Sequence, residues 1–172
     1  MCKRFCALAL CILSAIFITY FLLIPTELDD TTKSPVIVLT PTPEQERTQL
    51  NTRLREFLED KQSPLAPDTE FILELKHWKL LIAVSAIESQ YCNQQLGYNC
   101  WGIGGDSAYR YYSSFRVAAV DANDLIESWQ KKGKWLTVEN MNGSYVVPAS
   151  PNWVAVVNKV MKELDDLQSR TK

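Results

Sequence analysis

Residues Trp78 to Gln90 constrain this chain most. Leu80-Leu81-Ile82-Ala83-Val84-Ser85-Ala86-Ile87 is an apolar run of helix-forming composition. Wound into a helix, it is apolar nearly all round, and such a helix has to lie inside the protein. The pattern predicts a central buried helix with a domain built around it. That helix ends on Glu88. Behind it come Ser89-Gln90-Tyr91-Cys92 and then the aromatic and glycine-rich stretch Tyr98-Asn99-Cys100-Trp101-Gly102-Ile103-Gly104-Gly105. A carboxylate there is a poor choice for stability, because burial disfavours its charged form and raises its pKa. A raised pKa is what a general acid needs to keep its proton near neutral pH. The structural alternative for Glu88 is a helix-end glutamate in a salt bridge.

The remaining elements supply a helical frame. From Glu44 to Lys61, Leu50, Leu54, Phe57 and Leu58 share one face, with charges elsewhere; this reads as an amphipathic helix. It is a stalk, a partner-binding helix or the first helix of the domain. Ser63-Pro64-Leu65-Ala66-Pro67 then breaks the chain. Asp68 or Thr69 is placed to cap a helix running to about Lys76. Asn93 to Ser114 fits a loop plus a small hairpin, and a helix follows from about Phe115 to Lys132. Gly133 to Pro151 reads as irregular. Pro151 opens the last helix, with Trp153, Val154, Val157, Val160, Met161 and Leu164 as its apolar face. The expected fold is α+β, mainly α: a helical domain over residues 62–172 with one small β-hairpin.

The N-terminus points to a membrane. After Met1-Cys2-Lys3-Arg4, Phe5 to Ile24 carries no charge over twenty residues, enough to span a hydrocarbon core as a helix. Lys3 and Arg4 would keep residues 1–4 in the cytoplasm and place the rest outside. A cleaved signal peptide is the rival reading, but the run is long and no small-x-small site follows Ile24. The expectation is a single-pass membrane protein with its C-terminal domain extracytoplasmic. Residues 25–61 would be a linker rich in proline and threonine followed by the amphipathic helix. Outside the membrane Cys92 and Cys100 can oxidise to a disulfide. Closing so short a loop stabilises by about 2–3 kcal/mol. His77 is the only histidine in the chain, so no metal or cofactor is expected. The net charge of −2 gives no support to nucleic-acid binding. Lys131, Lys132 and Lys134 read as a solvated helix end.

Taken in order, Ser63-Pro64-Leu65-Ala66, Leu80 to Ser89, Tyr98 to Gly104, Tyr112-Ser113-Ser114-Phe115 and Pro148 to Trp153 resemble the lysozyme-like superfamily of peptidoglycan-cleaving domains. Within it the pattern is most similar to lytic transglycosylases and endo-β-N-acetylglucosaminidases. The Glu88-Ser89 pair is common to both branches, and the stretch from Asn99 to Gly104 is more like the glucosaminidases. The resemblance implies that Glu88 is the general acid towards a glycosidic oxygen. It implies that Ser89 holds the turn or the carboxylate, and that Asn99 to Gly105 form one wall of a sugar cleft. The partner it implies is the glycan strand of peptidoglycan.

Glycoside cleavage usually takes two carboxylates. Asp106, at the hairpin tip, is the candidate for the second; its alternative is a plain turn aspartate. Asp121, Asp124 and Glu127 lie on a predicted helix and are expected to face solvent. Without a second carboxylate the N-acetyl group of the substrate can take its place, ending in hydrolysis or in an anhydro sugar. Rings suit the apolar faces of sugars, which makes Trp101, Tyr112 and Tyr145 substrate-binding candidates; the resemblance adds Ser89, Asn99 and Gly102. Trp78, Trp129, Trp135 and Trp153 fit core positions better. Two other readings stand beside the enzyme. One is a non-catalytic glycan-binding module, and the other an envelope scaffold that docks a partner through residues 44–61.

Overall fold

Three of the four long helices among the described residues start on a capping side chain: Thr42, Ser114 or Ser150. The computed structural model describes residues 41–105 and 108–170. The expected membrane span 5–24, most of the linker and Asp106 lie outside the described residues. Among the described residues no helix is long and apolar enough to cross a membrane.

Helix α1, Pro43–Asp60, opens with a capping box in which Thr42 and Gln45 satisfy each other's backbone N–H. Its Leu54 and Leu58 are fully buried in the same cluster as the rest of the core. It is therefore the first helix of the compact unit Thr40–Lys172, and its apolar face is taken up by its own domain. A 3-10 turn, Ala66–Asp68, leads into the short α2, Thr69–Ile72. The helix expected to reach Lys76 stops there. Asp68 makes no cap hydrogen bond; its Oδ1 accepts from Arg116 Nε at 2.6 Å instead, pinning this segment to the helix opposite.

Helix α3, Trp78–Ser89, is the buried centre: Leu81, Ile82, Ala83, Val84 and Ser85 are all enclosed. It packs chiefly on α6, Pro151–Ser169, and also on α4, Phe115–Lys131. Ser114 caps α4 through Val117 N. Ser150 caps α6 through Trp153 N, with Pro151 at the first helical position, where its missing N–H costs nothing. Trp153, Val157, Val160 and Leu164 form the buried face of α6; Val154 and Met161 flank it, partly exposed. The stretch expected to be irregular contains one more turn of helix, α5, Val138–Met141.

The β structure is small. Strands β1, Gly104–Gly105, and β2, Ala108–Tyr109, pair antiparallel with Gly104 opposite Tyr109. The hairpin is where the sequence places it, but two residues a side make the fold mainly α rather than α+β. Lys131, Lys132 and Lys134 are exposed as expected, with the last two over the face of Trp129.

Candidate active site

Helix α3 comes to the surface at its last turn. Ala86 and Ile87 are partly exposed, Glu88 is exposed, and Ser89 turns back inside. The burial expected for Glu88 is thus only partial, because the helix ends where the domain ends. Gln90, Tyr91 and Cys92 all take left-handed backbone angles, with φ of 51°, 57° and 70°. Three such residues in a row are uncommon for side chains with a Cβ, and the surrounding bonds hold them. Ser89 Oγ accepts from Cys92 N at 3.0 Å and donates to Cys100 O at 2.8 Å. A disulfide joins Cys92 to Cys100. The loop is thereby folded back against the helix end, which brings Trp101 and Gly102 alongside Glu88.

Three residues expected to bind sugar are scaffold instead. Ser89 is 3 % exposed, Asn99 1 % and Trp101 1 %, so a glycan cannot reach their side chains. Ser89 holds the turn and not the carboxylate. The Asn99 amide donates to Ile103 O and Arg110 O at 2.7 and 3.0 Å and accepts from Ile103 N at 3.0 Å. It clamps the base of the hairpin, where an unpaired buried amide would be costly. Trp101 Nε1 donates to Leu81 O at 2.9 Å, tying the loop to the middle of α3.

Gly102 is a true neighbour of Glu88. It is exposed, its φ is +61°, and a Cβ placed on it would lie 3.1 Å from Glu88 Oε2. Glycine here meets both the backbone angle and the close approach. On the other carboxyl oxygen, Trp153 Nε1 donates to Glu88 Oε1 at 2.8 Å. Sequence reasoning assigned Trp153 to the core, and at 3 % exposed it is there. Its polar edge does the rest. A buried indole N–H seeks an acceptor, and a tryptophan in the first turn of a helix that packs on α3 was the available signal.

Tyr145 lies close enough to Glu88 to feel its charge. Its hydroxyl donates to Trp101 O, and its ring is 5.6 Å from Trp153 and 5.3 Å from Trp135. The residue is half-buried. Loss of hydration, then the negative charge of Glu88, hold its pKa well above the ordinary value. Tyr112 completes the group: its hydroxyl donates to Asp121 Oδ2 at 2.5 Å. Desolvation first, and that bond second, push it up to about 12. Both phenols stay protonated at any physiological pH. Asp121 does not simply face solvent as expected; it accepts from Tyr112 and from Arg110 Nη1, the latter at 2.6 Å. Glu127 pairs with Lys76 and Lys131, and Asp124 is exposed.

Comparison with protein-family models, with curated proteins and with solved structures finds no match to this chain. The chemistry is therefore argued from the side chains. Contact with Trp153 and Gly102 removes part of the hydration of the Glu88 carboxyl and raises its pKa above the ordinary 4.5, although solvent still reaches it. The Trp153 N–H, which favours the anion, pulls part of the way back. A carboxyl that is reachable, oriented from one side and open on the other can give a proton to a bound molecule. Among the described residues no group of three or more His, Cys, Asp or Glu could hold a metal ion.

Proposed function

We propose that this protein is a membrane-anchored glycosidase that cleaves the β-1,4 glycan of peptidoglycan, with Glu88 as general acid. The observation that carries the reading is the Glu88 carboxyl itself. It is exposed at the end of a buried helix, held by an indole N–H on Oε1, and left open on the Oε2 side by a glycine. Among the described residues the ion pairs involve other carboxylates, whereas Glu88 accepts from an indole. The ordered resemblance to lysozyme-like domains supplies the substrate class, either as a glucosaminidase-type hydrolase or as a lytic transglycosylase.

The disulfide supports an oxidising compartment, which agrees with a domain held outside the cytoplasmic membrane by residues 5–24. In substrate contact, the proposal keeps Gly102, Tyr112 and Tyr145 and gives Ser89, Asn99 and Trp101 the task of shaping the wall. Asp106 stays the candidate second carboxylate on its place in the hairpin sequence.

The test is product analysis. The full chain and its Glu88→Gln variant are incubated with peptidoglycan, and soluble fragments are read by mass spectrometry. Fragments from the parent, with a loss of about 10²–10⁴-fold in the variant, are expected. Their end groups separate cleavage at N-acetylglucosamine, cleavage at N-acetylmuramic acid and formation of an anhydro sugar. Absence of fragments from the folded parent, with retained glycan binding, would replace this reading by that of a binding module.

A further inference from the structure

Trp153 is held more firmly than core packing alone requires. Its backbone N–H is bonded to Ser150 Oγ at 3.2 Å. Its ring lies against Tyr145, which is itself tied to Trp101 O. The indole is thus fixed from the start of α6 and from the loop that carries Gly102, and its one polar atom points at Glu88 Oε1.

An indole nitrogen can only donate. The oxygen that it touches has to accept, and in the neutral acid the carbonyl oxygen is the better acceptor than the hydroxyl oxygen. In the neutral acid the proton is then favoured on the other oxygen, Oε2, which lies 3.1 Å from where a Cβ on Gly102 would stand. Resting on the reading of Glu88 as the acid, we infer that Trp153 is a positioning residue: it makes Oε2 the proton-carrying oxygen of Glu88 and sets the Gly102 side as the approach of the glycosidic oxygen.

The step balances as follows. The Oε2–H bond breaks as the proton moves to the glycosidic oxygen. The bond between that oxygen and the sugar carbon breaks, and its electron pair leaves with the oxygen as an alcohol. Glu88 is left as a carboxylate and the sugar carbon as an oxocarbenium ion. An O–H nucleophile, water or a hydroxyl of the same sugar, adds to that carbon and its proton returns to Glu88. The Trp153 hydrogen bond strengthens as Oε1 gains negative charge, so it favours the transition state over the bound substrate.

Two measurements test this on the full chain in detergent micelles. The first needs no change at Trp153. Its indole ¹H–¹⁵N resonance should move with pH at the midpoint of the Glu88 carboxyl and stay still in Glu88→Gln. The second is the Trp153→Phe variant, which keeps an aromatic ring and removes the donor. The bond favours the anion, so its loss raises the pKa of Glu88 and shifts the alkaline limb of the rate profile to higher pH. The maximal rate should fall roughly tenfold to a hundredfold with KM unchanged. A merely structural role would lower the rate without moving the limb. An indole resonance indifferent to Glu88, or an unmoved limb in a folded Trp153→Phe, overturns the inference. A parent that cleaves nothing while its indole follows Glu88 upholds the hydrogen-bonded orientation and removes the glycosidase reading instead.

Discussion

Replacing Gly102 by alanine separates the backbone requirement of the site from its chemistry. The new Cβ would lie 3.1 Å from Glu88 Oε2 and 3.7 Å from Cδ, so the carboxyl has to give way by a few tenths of an ångström. The φ of +61° adds a left-handed penalty of about 1–2 kcal/mol for any residue with a Cβ. Gly133 provides the control. Its φ is +71° and a Cβ there meets nothing within 4 Å, so Gly133→Ala carries the backbone penalty alone. Thermal unfolding followed by circular dichroism should place both variants about 1–2 kcal/mol below the parent, a melting shift of several degrees. Activity should part them. Misplacing a catalytic group by 1 Å can cost about a hundredfold, so the smaller displacement in Gly102→Ala predicts roughly a tenfold loss of fragment release. Gly133→Ala should cleave at the parental rate once corrected for folded fraction. Parental cleavage by folded Gly102→Ala would refute the idea that the working face of Glu88 is the one towards Gly102.

Three further outcomes follow from the same geometry. The folded state raises the pKa of Glu88 and so binds its proton more tightly than the unfolded chain; stability conferred by that group is present below 4.5 and is lost as pH rises through the folded value. Glu88→Gln should therefore match the parent near pH 4 and be the more stable of the two at pH 7–8 in urea titrations, and a less stable variant at pH 7–8 would contradict the desolvation argument. Removing the disulfide as Cys92→Ala with Cys100→Ala opens a loop with a sequence separation of 8; the chain-entropy relation gives a loss of about 2.5 kcal/mol, read from urea midpoints, and no loss would mean that the loop is held by its hydrogen bonds alone. Asn99→Ala takes the Asn99 partner from Ile103 N and Arg110 O and leaves Ile103 O with Arg110 N alone; a loss of about 2–4 kcal/mol is expected, with faster amide exchange in the hairpin, and unchanged exchange would show that Asn99 is not its clamp.

The amphipathic and apolar patterns made most of the frame legible. The central helix, the Pro151 start of the last helix with its buried valines, the hairpin and the cysteine pair all follow from rules that act within a few residues: periodicity, capping, turn composition and short loop closure. Glu88 was legible for the same reason, since a carboxylate ending an all-apolar helix is conspicuous in one dimension. Where local rules misled, a distant partner had the stronger claim. Asp68 gave up its capping role because Arg116 lies across from it. Asp121 stays partly exposed but accepts from Tyr112 and Arg110.

Composition alone placed polar and aromatic residues near Glu88 without deciding which way they point. Ser89, Asn99 and Trp101 have the chemistry of sugar contacts, yet each spends its hydrogen bonds on the backbone of the loop that it shapes. Trp153, 65 residues along the chain from Glu88, reaches it only because α6 packs on α3. The order of helices, the one buried helix and its terminal carboxylate belong to the sequence, because short-range physics suffices to set them. Which oxygen of that carboxylate is held, and which is free, was decided only by the packing of two helices and the turn between Cys92 and Gly102, since the distance between residues far apart in sequence is a property of the folded chain.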